Sequence, residues 1–145
     1  MYLPGEATVQ PIGYWVKEID RMLEESFVRL LAEEGLTRRH WQVLNTLASG
    51  AVGQAEVDRA LAPFLTAEAP STAPVVEDLI ARGWVGRPAR LTEQGRVAHA
   101  RLTERVSASR RAIIDGISDE EYTAAVNVLE RMAGNLVRQF ENSAG

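Results

Sequence analysis

Arginines supply the first chemical signal in this sequence. Arg82, Arg87, Arg90, Arg96, Arg101, Arg105, Arg110 and Arg111 crowd into one stretch against only Glu93 and Glu104. That stretch carries +6 on a chain of net charge −4, which leaves −10 for the remainder. A local basic stripe on an acidic protein fits contact with a phosphate backbone, and it equally fits an exposed arginine-rich helix face. Just before it, Gln54 to Ile80 holds one base, Arg59, against Glu56, Asp58, Glu68, Glu77 and Asp78. Catalytic chemistry has less to work with. Cysteine is absent and His40 and His99 are the only histidines, so no nucleophile, base and orienting group can be assembled. Gly-x-Ser-x-Gly elbows, phosphate loops and dinucleotide fingerprints are missing too. The carboxylate pairs Glu33-Glu34 and Glu120-Glu121 fall at expected helix ends, where capping or solvation is their natural role. Two histidines with no carboxylate pattern beside them do not make a metal site. The chain reads as a non-enzyme with no cofactor and no metal.

Positioning a basic stripe against a duplex needs a helix that reaches base edges and a hairpin that reaches phosphates. The segment Pro70 to Arg96 has that form. Ser71 or Thr72 can cap a helix, Val75, Val76, Leu79 and Ile80 give it an apolar face, and Gly83 ends it. Trp84 and Val85 open a strand, Pro88 turns the chain, and Leu91 closes a second short strand. Thr92 then caps a further helix. Glu77 and Asp78 are expected to point back toward the protein body, with Asp78 pairing Arg82 four residues on.

At 145 residues the chain has the length of a single domain with a real core. Met1 to Pro11 is expected to be a loose arm. From Ile12, apolar residues recur at helical spacing through Trp15, Val16, Ile19, Met22, Leu23, Phe27, Leu30 and Leu31, a long amphipathic helix ending near Gly35. Thr37 caps the next helix, with Trp41, Val43, Leu44 and Leu47 buried and Ser49-Gly50 as its stop. Gln54 to Leu61 is a short helix with Ala55, Val57 and Leu61 inward. The linker Ala62 to Pro70 is long for a helix-turn-helix, which takes about three or four residues; a surface bulge or one extra turn is expected there. Beyond Thr92 the helix runs through Val97, Leu102, Val106 and Ile113. Asp115-Gly116 breaks it, and Ser118 with Glu121 forms a capping box for the last helix. Along that helix Tyr122, Val126, Leu129, Ala133, Leu136 and Phe140 make a heptad-like seam that wants another helix. No apolar run approaches the roughly 20 residues of a membrane span, and the N-terminus lacks a signal-peptide pattern, so a cytoplasmic location is expected.

Three stretches in order, "GLTRRHWQVLNTLA" (Gly35 to Ala48), "LIARGWV" with "LTEQGR" (Leu79 to Arg96) and "GISDEEYTAAVNVLERMAGNL" (Gly116 to Leu136), resemble the MarR family of transcriptional regulators. The resemblance covers about Ile12 to Phe140. It implies a mainly α fold with a short two-stranded wing. Residues 36–96 would form the winged helix-turn-helix core, with 12–34 and 116–142 as N- and C-terminal dimerisation helices. It also implies a homodimer on a pseudo-palindromic operator in double-stranded DNA, acting as a repressor released by a small aromatic effector. Candidate DNA-binding residues are Gln54, Ser71, Thr72, Pro74, Val75, Arg87 and Arg90. Effector-binding candidates are Trp15, His40 and Trp41, although Trp41 can as well be core and His40 a hydrogen-bonded surface residue. Family wings are longer and usually carry an Asp-x-Arg element; here Gly86 to Arg90 remains. The absence of cysteine sets aside the family's peroxide-sensing branch. The alternative is a dimeric ligand- or protein-binding module of the same fold that has lost operator binding.

Overall fold

The computed structural model describes residues 10–144, so most of the expected N-terminal arm lies outside the described residues. Six helices and one two-stranded sheet follow in order: α1 (Ile12–Ala32), α2 (Arg38–Ala48), α3 (Gln54–Ala60), α4 (Ala73–Ala81), β1 (Val85–Gly86), β2 (Arg90–Leu91), α5 (Glu93–Ile113) and α6 (Asp119–Ala144). By packing, the chain falls into two compact units that part within α5, between Val106 and Ser107. The first is a winged helix-turn-helix, and the wing is the antiparallel pair β1–β2 with Val85 opposite Leu91 and Gly86 opposite Arg90.

Local chemistry sets most boundaries. Thr37 caps α2, its backbone N–H donating to His40 Nδ1 at 3.0 Å while its hydroxyl accepts from the His40 backbone at 3.4 Å. Thr92 Oγ1 accepts from Gly95 N at 3.0 Å and starts α5. Ser118 and Glu121 exchange the two bonds of a capping box, at 3.0 and 3.1 Å, which satisfies amides the first turn of α6 leaves over. Gly83 ends α4 at φ +80°, a conformation that costs any residue with a Cβ. The long linker contains a single 3-10 turn, Ala62–Phe64.

The core of the first unit gathers Leu31, Leu36, Val43, Leu44, Leu47, Val57, Leu61, Val76, Leu79, Trp84, Val85, Leu91, Ala98 and Leu102. Two expectations fail. Ala55 is exposed, and α3 is held by Val57 and Leu61 instead. Val97 is exposed while Ala98 next to it is buried, because the apolar stripe of α5 runs through Ala98, Leu102 and Val106 at four-residue steps. Gly95 begins that stripe, and a Cβ there would fall onto the Trp84 carbonyl oxygen. Helix α5 can cross the base of the wing only because this residue has no side chain.

In the second unit α6 has no buried residue. Tyr122, Val126, Leu129, Leu136 and Phe140 of the expected seam are all exposed. The first turns of α1 show the same pattern: Ile12, Trp15, Val16, Ile19, Met22 and Leu23 face solvent, and only Phe27, Leu30 and Leu31 reach the core. Among the described residues no helix is long and apolar enough to cross a membrane.

Candidate nucleic-acid interface

Helix α4 is amphipathic along one line. Val76 and Leu79 are buried, Val75 and Ile80 half-buried, and Pro74, Glu77 and Ala81 form an exposed stripe at i, i+3 and i+7. Glu77 therefore looks outward, contrary to the expectation that it turns toward the body. It accepts from Arg87 of the wing at 2.7 Å. Asp78, though exposed, leans toward α2, and its Oδ2 receives Arg82 Nε at 3.1 Å and His40 Nε2 at 2.8 Å. Since His40 Nδ1 accepts from the Thr37 amide, the ring proton sits on Nε2, aimed at Asp78. These bonds, those of His40 first and of Arg82 next, hold the Asp78 carboxyl below its ordinary value. Arg82 also donates to the carbonyls of Glu34 and Gly35, both at 3.0 Å. The back of α4 is thereby tied to α2 and to the turn before it.

The expected reading residues at the start of α4 are largely engaged with Asp58 of α3. Its Oδ1 accepts from Thr72 N at 2.8 Å, Thr72 Oγ1 at 2.6 Å and Gln54 Nε2 at 2.9 Å, and its Oδ2 accepts from Ser71 Oγ at 3.0 Å. Burial alone would push the Asp58 carboxyl up, but the bonds from Thr72, Ser71 and Gln54 outweigh it and hold the group below its ordinary value. Thr72 is 0% exposed, so its hydroxyl builds the helix-turn-helix joint and presents nothing to a ligand. It does not cap α4 either; Ser71 Oγ accepts from Ala73 N at 3.0 Å in that place. Gln54 also donates to Thr72 Oγ1 at 2.7 Å. Of the residues singled out on α4, Pro74 is exposed and Val75 half-buried.

The arginine stripe is largely spent on carboxylates. Arg87 pairs with Glu77, Arg96 with Glu93, and Arg101 and Arg105 with Glu33 and Glu34 at the end of α1. Arg90 on β2 makes no ion pair among the described residues. A backbone bond from Gly53 N to Ala89 O, 2.8 Å, ties this wing to the start of α3.

Trp15, His40 and Trp41 do not come together. His40 is buried and bonded on both ring nitrogens. Trp41 stacks on His99 at 5.6 Å and meets the Phe27 edge at 6.3 Å. Trp15 packs against Tyr14, some 12 residues and about 18 Å up α1 from Phe27. Burial holds His99 below the ordinary histidine value, and its Nε2 lies 2.7 Å from Asn45 Oδ1. Among the described residues there is no cluster of three metal-ligating side chains.

Sequence reasoning missed Asp58 as the organiser of the joint and Glu77 as an outward residue. The second was legible, since Glu77 stands three residues from Pro74 on the side away from Val76 and Leu79.

No protein-family model and no curated protein matches the sequence. Solved structures do. The MarR family protein Rv2887 of Mycobacterium tuberculosis in complex with DNA is 25% identical, with TM-score 0.64, covering 85% of this chain and 98% of that one. The same protein in complex with salicylic acid is 26% identical over 86% and 99% of the two chains, TM-score 0.56. A MarR-family transcriptional regulator from Rhodococcus sp. RHA1 is 25% identical over 84% and 91%, TM-score 0.59. With six helices, a two-stranded wing between α4 and α5 and these neighbours over most of its length, the chain has the winged helix-turn-helix fold of MarR-family regulators and is similar to them.

Proposed function

We propose that this protein is a DNA-binding transcriptional repressor that acts as a homodimer on a pseudo-palindromic operator and is released by a small aromatic effector. The observation that carries the reading is the outward stripe of α4, Pro74, Glu77 and Ala81, standing beside a wing whose Arg90 faces solvent. Such an arrangement offers a helix to the major groove and a cation to the adjoining backbone. The structure of Rv2887 with DNA supports it. In this reading Pro74 meets base edges, Gln54 and Ser71 border it, and Arg90, together with Arg87 once it leaves Glu77, meets phosphates.

Dimerisation is supported by the exposed apolar residues that recur along α1 and α6, Ile12, Trp15, Ile19 and Leu23 on the one and Tyr122, Val126, Leu129 and Leu136 on the other. In a dimer the two α4 helices must lie about 34 Å apart, one duplex turn, to enter successive major grooves. A ligand that changes that spacing lowers operator affinity by favouring the other arrangement. The salicylic acid complex of Rv2887 supports a small aromatic acid as effector. Trp15 and Trp41 would report its binding by fluorescence.

A second reading is favoured by the Glu77–Arg87 pair and the acidic α3–α4 segment: a dimeric module of the same fold that binds ligand or protein and no operator. Selecting bound fragments from random DNA at near-physiological salt separates the two. Enrichment of an inverted repeat is expected; a folded dimer that enriches no sequence overturns the repressor reading in favour of the module.

A further inference from the structure

The guanidinium of Arg82, one residue past the end of α4, reaches across to the turn that follows α1. Its Nη1 donates to the Glu34 carbonyl and its Nη2 to the Gly35 carbonyl, each at 3.0 Å, while Nε holds Asp78 at 3.1 Å. The same fork lies 5.5 Å from the centre of the Trp84 ring, within cation–π range. Gly35 leaves room for this approach, since a Cβ there would lie 3.3 Å from Arg82 Nη2. The two carbonyls follow the last turn of α1, where a helix leaves acceptors unpaired and presents partial negative charge. A planar fork meets two neighbouring carbonyls and a carboxylate at once; a lysine ammonium is a point charge without that geometry.

The turn is gripped from a second side by α5. The Glu34 carboxylate accepts from Arg105 Nη1 at 3.0 Å and from Arg101, and Glu33 accepts from Arg105. Side chains of α5 thus hold the carboxylates of this turn, and α4 holds its carbonyls. His40 ties α4 to α2 independently through Asp78, so α4 keeps its seat beside α2 without Arg82. What Arg82 alone adds is a hydrogen-bonded tie from α4 to the end of α1. We propose that Arg82 is a positioning residue, a strut that fixes the direction of α4 relative to α1 and α5 and meets no phosphate itself. Rigid helices joined by such bonds carry a displacement at one end to the other. The consequence for DNA rests on the repressor reading: in a dimer built on the exposed residues of α1, that direction sets the separation of the two α4 helices.

The first arm of the test uses the full chain without DNA. The sequence has no cysteine, so Lys17→Cys and Ala81→Cys, exposed positions on α1 and α4, take two spin labels and no others. Electron–electron double resonance on labelled chain diluted into excess unlabelled chain reads the distance between α1 and α4 within one chain. A narrow distribution is expected with Arg82 in place, and a shifted or broadened one in Arg82→Lys and Arg82→Gln. Arg82→Lys keeps the charge beside Asp78, so its melting temperature should stay within a few degrees of that of Arg82 while the distance does not recover, a split that a merely stabilising residue would not give. This variant also carries the test should Arg82→Gln fail to fold. A distribution unchanged in folded Arg82→Lys overturns the proposal. The second arm measures DNA binding of the unlabelled proteins by anisotropy. Preference for the selected operator over random DNA should fall about tenfold in Arg82→Lys, with the salt slope unchanged in Arg82→Gln. A slope reduced by roughly 0.9 per subunit in Arg82→Gln would make Arg82 a phosphate contact and overturn the proposal. Should the wild type prefer no sequence, the repressor reading falls and the distance arm still decides on the strut.

Discussion

The Arg87 guanidinium of the wing donates to the Glu77 carboxylate on the exposed side of α4 at 2.7 Å, and Glu77 in turn holds Arg87 in its charged form. Wing and α4 are thus joined by charges that both face solvent, where an ion pair adds little stability. Its weight falls on binding, because a phosphate must compete with Glu77 for the same cation.

Replacing Glu77 by Gln should therefore raise affinity for DNA of every sequence. The log-affinity against log-salt slope should steepen by roughly 0.9 per freed contact in each subunit. Fluorescence anisotropy over a salt series measures both, and the gain should vanish when Arg87→Ala is added.

Thr72 offers the opposite case. Its hydroxyl is sealed between Asp58 and Gln54, so Thr72→Val should lower stability by about 1–3 kcal/mol, the cost of an unpaired buried partner. Operator preference among the molecules that stay folded should not change. A loss of base preference at unchanged stability would return Thr72 to the reading surface.

Asp58→Ala should cost about 2 kcal/mol or more, since Thr72, Ser71 and Gln54 all lose their acceptor. The pH dependence has a definite sign. The folded carboxyl titrates below its ordinary value, so its stabilisation is present above the unfolded value near 4 and fades as pH falls through the lower folded one. Urea melts of wild type and variant should converge as pH drops below about 4.

Gly95→Ala should be among the most damaging single-methyl changes in the chain, because the new Cβ meets backbone, the Trp84 carbonyl, and no flexible side chain. A loss of about 3 kcal/mol or more is expected from thermal melts. Gly13→Ala, with nothing within 4 Å of its Cβ on exposed α1, should be neutral or mildly stabilising by helix propensity.

Leu136→Asp on α6 should yield monomer where the wild type is a dimer by light scattering. Leu136 is 49% exposed in the single chain, so the change costs that unit no core packing. A wild type that is monomeric at micromolar concentration would remove the spacing on which operator recognition depends.

Sequence alone determined the features that close within a few residues. The Thr37, Thr92 and Ser118–Glu121 caps, the Gly83 stop and the period of Val76 and Leu79 each rest on partners no more than four positions away. The fold followed from them. What only tertiary structure decided is the direction of the polar side chains. Asp58 reaches Thr72 across 14 positions, Arg87 reaches Glu77 across 10 and His40 reaches Asp78 across 38. Composition left the arginine stripe open between a phosphate surface and an exposed helix face, and packing brings Glu34 and Glu33 from the far end of α1 to Arg101 and Arg105. Local hydrogen bonds are written in spacing, whereas a charged or hydroxyl side chain takes whichever partner packing brings within reach, because leaving it unpaired costs more than any local preference returns.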